Sequence, residues 1–263
     1  MTDHYADLRM YVAPDAVQHA NQQWLARILE RLGLNRRNAD HLDLPGLWLA
    51  PELLVSQTCG YPLMTQLRGQ VRVIGRPRYE LPHSSNGSHC SLLLTRDDNP
   101  RASLADFYNS RGVINGYDSN SGMNLLRERL APLQQGGRFF ASVGVSGAHR
   151  ESLRWLREGR ADLAAIDNVT YAYLARFAPL EVAGLRLVSA SAPSPTLPYI
   201  GPLGLSDEHV VRIREAMNLA LQDLPQVVQT LGLQAVLPAS EDDYQVLLDY
   251  QQQAASAGYS VLQ

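Results

Sequence analysis

An α/β architecture of mainly parallel sheets, divided between two lobes with a cleft between them, is predicted by three observations. Apolar runs alternate with amphipathic ones along most of the 263 residues. Between residues 113 and 177 a strand, a short polar turn and a helix recur three times, the signature of βα units. Two polar or proline-rich stretches, 96–100 and 190–198, bracket those units, so the middle of the chain reads as an inserted domain. The expected division is 1–95 with 191–263 for the first lobe, C-terminal helices included, and 96–190 for the second. Two crossings between lobes imply a hinge.

In order, residues 7–13 read as a strand and 15–32 as a helix, since Val17, Trp24, Leu25, Ile28, Leu29 and Leu32 recur at helical spacing. A polar connection at 36–45 precedes short buried strands at 53–56 and 71–74. The run PHSSNG at 82–87 is a turn-rich break, and a strand follows at 91–95. The three units are strand 113–115 with helix 121–130, strand 139–145 with helix 148–158, and strand 163–166 with a helix to 177. A strand at 185–190 enters the proline-stiffened run SAPSPTLP. Helices at 207–223, 225–231 and 241–255 close the chain.

Composition removes several classes of function. Apolar residues make up 45%, charged residues 19%, and the net charge is −3, which gives no bulk attraction to nucleic acid or anionic membrane. All 23 basic residues are arginine. A chain without lysine builds no internal Schiff base, no P-loop and no kinase strand lysine. Its two cysteines, Cys59 and Cys90, form no CxxC pair, so cysteine-based zinc and iron–sulfur sites are excluded, and a disulfide cannot be inferred. No window approaches a membrane span, and the opening MTDHYADLRMYV has neither the basic start nor the apolar core of a signal peptide.

Ligands of open α/β sheets sit beyond the carboxyl ends of the strands. Three turns hold that position. In the first, Ser119 and Ser121 are both good helix caps, and Gly122 permits close backbone approach. No glutamate or glutamine stands where a capping box would place it, so the first-turn amides are expected to be open to an anion. Plain self-capping by the serines is the competing reading. In the second turn His149 is expected near the third helical position, with Ser146 as cap, where it would donate to an anion or simply lie on the surface. In the third, Asp167 ends a strand and begins a helix. It would either cap that helix or accept a hydrogen bond from a ligand that brings its own donor.

Two catalytic arrangements compete. Gly144-Val145-Ser146-Gly147-Ala148 nearly matches the nucleophile elbow, with Asp167 and His209 following in hydrolase order, but the chain has no HGGG-like oxyanion loop. Cys59 with His149 and Asp167 is a second, but nothing near Cys59 activates it, and a small buried thiol is the simpler reading.

Taken as an ordered set, five runs resemble the phosphate/phosphite/phosphonate-binding proteins of ABC transporters, a branch of the type 2 periplasmic-binding fold. They are LLVSQTCGYPL at 53–63, NGYDSNSG at 115–122, SGAHRESL at 146–153, GRADLAAID at 159–167 and LPYI at 197–200. The likeness covers roughly residues 7–235. It implies a non-enzymatic trap for a small phosphorus oxyanion, with no cofactor, an ABC permease as partner, and a monomeric receptor. It also implies ligand contacts from Ser119, Asn120, Ser121 and Gly122, from His149 and Asp167, and from the aromatic Tyr61. The family's second pocket tyrosine is missing here; His89 or Cys90 takes its place. Without a signal peptide the chain is expected in the cytoplasm as written, and in the periplasm if an export signal was trimmed or export is non-standard. Alternative functions are a cytoplasmic orphan or sensor domain of the same fold, and a serine hydrolase using Ser146.

Overall fold

The structure, a computed structural model, describes residues 3–263. The chain opens with β1 (Asp3–Asp7), α1 (Asp15–Leu32), β2 (Asn35–Arg37), α2 (Leu44–Trp48), β3 (Leu53–Gln57), α3 (Gly60–Thr65), β4 (Val71–Tyr79) and the two-residue β5 (Ser88–His89). It continues through β6 (Ser91–Arg96), β7 (Arg111–Ile114), a π-helical turn at Asn120–Asn124, α4 (Leu125–Leu130), β8 (Ser142–Val145), α5 (His149–Arg157), β9 (Leu163–Asp167), α6 (Asn168–Phe177) and β10 (Leu185–Ala190). After β11 (Ser194–Pro195) come β12 (Tyr199–Pro202), α7 (Asp207–Asp223), α8 (Pro225–Leu231), β13 (Leu233–Leu237) and α9 (Gln245–Ser256).

These elements form two compact units. One takes the chain up to Ser88 together with Pro195–Tyr244; the other takes His89–Ser194 and Gln245–Gln263. The first unit has a six-stranded sheet in the order β13-β4-β12-β3-β1-β2. Helix α1 buries Val17, Ala20, Trp24, Leu25, Ile28 and Leu29 along one stripe, and Gly33 ends it in the left-handed conformation that glycine adopts without penalty. Trp24 fixes the helix layer: its indole donates to Met217 O at 3.1 Å, and its ring meets Tyr199 edge-on with centroids 5.6 Å apart. Burying a side chain of this size contributes roughly 2–3 kcal/mol.

The second unit has a five-stranded sheet in the order β10-β6-β9-β7-β8. Leu92, Leu94, Val113, Ala164 and Ile166 of the sheet pack against Leu153 and Leu156 of α5 and Leu174 of α6. All five residues of β9 are buried, the burial expected of a strand covered on both faces.

Several expectations need correction. The sheets are mixed, not mainly parallel. β1 runs parallel to β2 and β3, and β7 parallel to β8 and β9, but β12 is antiparallel to β3 and β4, β13 to β4, and β6 to β9 and β10. Of the strands that break the parallel pattern, β6 and β12 are those with which the chain passes from one unit's sequence into the other's, so no helical crossover within a unit sets their direction. The expected strand at 7–13 is in fact the end of β1. Beyond Asp7 the chain turns away, held by Arg9 donating to Asp7, Leu42 O and Ala39 O. Phe139 and Phe140 are buried but lie outside β8; their amides donate to Gln263 O.

The C-terminal segment was expected in the first lobe and belongs to the second unit. Leu247 O accepts from Asn124 Nδ2 at 3.0 Å, Ser260 O accepts from Arg127 at 3.0 Å, and Tyr259 is fully buried. The unit boundaries likewise fall at 88/89 and 194/195, where the expected ones were 95/96 and 190/191. β2, α2, α3, β12 and β13 were not foreseen. Neither cysteine is in a disulfide. No helix among the described residues is long and apolar enough to cross a membrane.

Candidate functional site

The ends of β7, β8 and β9 bring Ser119–Gly122, His149 and Asp167 to one side of the second unit's sheet, as strand direction in βα units requires. After β7 the helix opens wide: Asn124 N–H donates to Ser119 O at 3.0 Å, five residues back, before α4 continues it to Leu130. Such π turns occur mostly singly inside helices, frequently at functional sites. Ser91 of β6 clamps the turn by donating its hydroxyl to Ser121 O at 2.8 Å.

Ser121 Oγ and His149 Nε2 are 2.8 Å apart, joining the first two turns. Gly122 leaves the space that the Asn115 side chain occupies. A Cβ built on it would collide with Asn115 Oδ1 and come within 3.3 Å of His149 Cε1. His149 is the first residue of α5, not the third, and the cap position is held by Ala148, which makes no side-chain bond. Ser146 is elsewhere: its hydroxyl donates to Ile114 O at 3.1 Å and Ala148 O at 3.0 Å and shares a 2.6 Å bond with Ser152. None of these partners is a base, and His209 bonds Ser206 in the first unit at 2.8 Å. The nucleophile-elbow arrangement is therefore corrected: Ser146 is a structural hydroxyl.

Both oxygens of Asp167 are met by protein donors. Its Oδ1 accepts the Thr170 amide at 2.8 Å, which is the helix cap, and its Oδ2 accepts from His89 Nδ1 at 2.7 Å. Burial raises its pKa, but the charge and hydrogen bond of His89, the charge of His149 and the Thr170 amide outweigh this and hold it below the usual carboxylate range. His149 moves the other way. Burial pushes it down to about 4, with Asp167 pulling up and His89 pushing further down, so it is neutral at pH 7. Its ring keeps some solvent exposure, but Nδ1 is sealed from water and has no partner. His89, only 2% exposed, likewise has a sealed Nε2 without a partner. Each such nitrogen costs about 1–3 kcal/mol unless something meets it.

His89 and Cys90 separate cleanly. The His89 side chain turns to Asp167, and Cys90 packs into the core cluster with Leu92 and Leu94. Burial, with Asp167 adding to it, lifts the Cys90 thiol to about 11, so it is inert. Cys59 and Tyr61 lie in the first unit, at the start of α3, where Tyr61 is 7% exposed.

Two expectations about the helix start are revised. Ser119 Oγ accepts the Gly122 amide at 3.0 Å, so that amide is already answered by the serine itself. Asn120 is structural: its Nδ2 donates to Ser194 Oγ at 3.1 Å, and its Oδ1 accepts from Asn124 at 3.2 Å. Sequence reading missed Ser91 as a positioning residue; its one signal was a hydroxyl heading a run of leucines. Asn124 was missed too, because its partner Leu247 is 123 residues away. Among the described residues no group of three His, Cys, Asp or Glu is placed to hold a metal ion. What the cluster offers is a hydroxyl, two imidazoles with unanswered nitrogens and a helix start.

The sequence profile described as "ABC transporter, phosphonate, periplasmic substrate-binding protein" matches residues 52–244. A binding-protein component of an ABC phosphonate transporter from Pseudomonas aeruginosa superposes with a TM-score of 0.77 at 14% identity, covering 97% of this chain and 88% of that one. PhnD1 from Prochlorococcus marinus, solved in complex with methylphosphonate, has a TM-score of 0.71 at 12% identity, covering 92% and 94%. XAC2383 from Xanthomonas citri, bound to ATP, has 0.65 at 16% identity, covering 92% and 94%. A search of curated proteins finds no match. At such identities these structures show the shared fold alone, the α/β fold of periplasmic binding proteins.

Proposed function

The chain belongs to the periplasmic substrate-binding family of ABC phosphonate transporters, and from that membership we propose that it binds a small phosphorus oxyanion and leaves it chemically unchanged. One observation in the second unit carries the reading. The Ser121–His149 pair at a helix start lies with the His89–Asp167 pair, and two imidazole nitrogens there are buried and unanswered. A tetrahedral anion with three or four oxygens brings lone pairs and, when singly protonated, an O–H with which to meet these groups, and the positive end of the helix favours its charge. Asp167 holds its partners in place; the direct contacts are Ser121, His149 and His89. The partner is an ABC permease, which takes the released ligand.

The surroundings of Ser146 and Ser121 favour binding over serine-based hydrolysis. Ser146 lacks a base, and Ser121 faces a histidine whose Nδ1 has no carboxylate to orient it, unlike a hydrolytic triad. The deciding experiment is a thermal-shift screen against phosphate, phosphite, methylphosphonate, aminoethylphosphonate, sulfate and taurine. A ligand at one hundred times its Kd adds about 2.7 kcal/mol of stability, so at least one phosphorus anion is expected to raise Tm clearly. No response to any phosphorus anion overturns the reading.

A further inference from the structure

This inference rests on the oxyanion reading above. Asp167 accepts from His89 Nδ1 at 2.7 Å and from the Thr170 amide at 2.8 Å. A carboxylate so placed is an acceptor only, so the facing nitrogen of His89 carries a proton in either charge state of the ring. The variable nitrogen is Nε2, which is buried and without a partner. Neutral His89 presents a lone pair there; cationic His89 presents an N–H.

We propose that His89 is the site's specificity-determining residue, and that one proton is held between its Nε2 and an oxygen of the bound anion. The proton balance is closed in both routes. A singly protonated anion arrives with its own O–H and donates it to neutral His89. A fully ionised anion meets a His89 that has taken a proton from water, and the resulting complex has the same proton count. The site therefore favours phosphorus oxyanions, which carry an exchangeable proton near neutral pH, over sulfonates and sulfate, which do not and depend on cationic His89.

The titratable groups facing His89 do not supply this proton. They are Asp167 at the end of β9, His149 at the start of α5 and the adjacent Cys90. Asp167 is held ionised. His149 is driven by burial to about 4 and Cys90 to about 11, so neither changes charge between pH 6 and 9. The role that the sequence suggested for Asp167, recognition of a ligand's own donor, thus passes to the histidine it holds.

The test is titration calorimetry of the full chain with methylphosphonate and methanesulfonate from pH 6 to 9.5, in buffers of different ionisation heat. Proton uptake is expected to approach one per methylphosphonate above that ligand's second ionisation, with affinity falling about tenfold per pH unit there. In H89Q, which keeps a polar tip with no proton to exchange, uptake and slope are expected to vanish. The preference for phosphonate over sulfonate should narrow at least tenfold. H89N serves if H89Q does not fold, and circular dichroism establishes folding. Methylphosphonate binding by the parent with no proton uptake overturns this inference and leaves the oxyanion reading standing. So does uptake that persists unchanged in H89Q. A parent that binds neither methylphosphonate, phosphite nor phosphate at any pH overturns both.

Discussion

Asp167 Oδ2 and His89 Nδ1 lie 2.7 Å apart, and both residues are 2% exposed. They are 78 positions apart in the chain and come from different strands, β9 and β5. The pair makes a helix-capping aspartate also the support of a buried imidazole. The first consequence concerns stability.

Asp167→Asn keeps an acceptor for the Thr170 amide but removes the charge that His89 faces. Losing one partner of a buried pair is expected to cost on the order of 2–4 kcal/mol at pH 7, read by urea denaturation. The sign with pH follows from the lowered pKa of Asp167. Its contribution is complete above the unfolded value of about 3.9 and disappears as pH falls through the lower folded value. The parent should therefore lose this contribution in acid and the variant should not; equal acid limbs would show that the pair is energetically silent.

His149 acts in a different window. Its folded pKa of about 4 lies below that of an ordinary histidine, so the unfolded chain binds the extra proton first. Stability is then highest above the unfolded value of about 6.5 and falls as pH drops towards 4. With the ring partly exposed, the loss is expected to be on the order of 1–2 kcal/mol. Urea midpoints for the parent and His149→Gln at pH 7 and pH 5 measure it. The variant should show the smaller difference between the two pH values.

Ser121→Glu places a carboxylate at the helix start, beside the neutral imidazole of His149. Like charge against an anion in a dry site should weaken binding at least a hundredfold. Calorimetry with methylphosphonate reports the change directly, and an unaltered Kd would move the site away from residues 119–122.

Gly122→Ala tests the close approach beneath the cluster. The new Cβ meets Asn115 Oδ1, so strain of about 1–3 kcal/mol is expected in thermal or urea unfolding. Adding Asn115→Gly should recover most of that loss. If the single variant is as stable as the parent, the turn is looser than this packing implies.

Much of the fold is legible in local pattern. The stripe from Val17 to Leu32 marks α1 to the residue, and β10, α7 and α8 also fall where spacing puts them. These elements have strong periodicity and clear stops such as Gly33. The segment 8–13 misleads because Leu8 and Tyr11 are buried without belonging to a strand. β12 was passed over because four residues ending in Gly-Pro offer little strand signal; its two antiparallel neighbours make it one.

The site divides in the same way. Ser119, Ser121, Gly122, His149 and Asp167 stand out by type and by place after a strand, because strand direction in βα units decides where a turn lies. What each does depends on groups distant in sequence. Ser119 answers the Gly122 amide itself, Asn120 serves a network through Ser194 and Asn124, and His149 meets Ser121 from 28 positions away.

By itself, the sequence determined the α/β class, the family resemblance and the turns that carry polar groups, since these follow from periodicity and order along the chain. Only the tertiary structure decided that His89 and not Cys90 faces Asp167, that Ser146 has no base, and that the C-terminal helix packs on α4. Those outcomes depend on the direction of individual side chains and on contacts between distant segments, and a hydrogen bond is made or lost over a few tenths of an ångström.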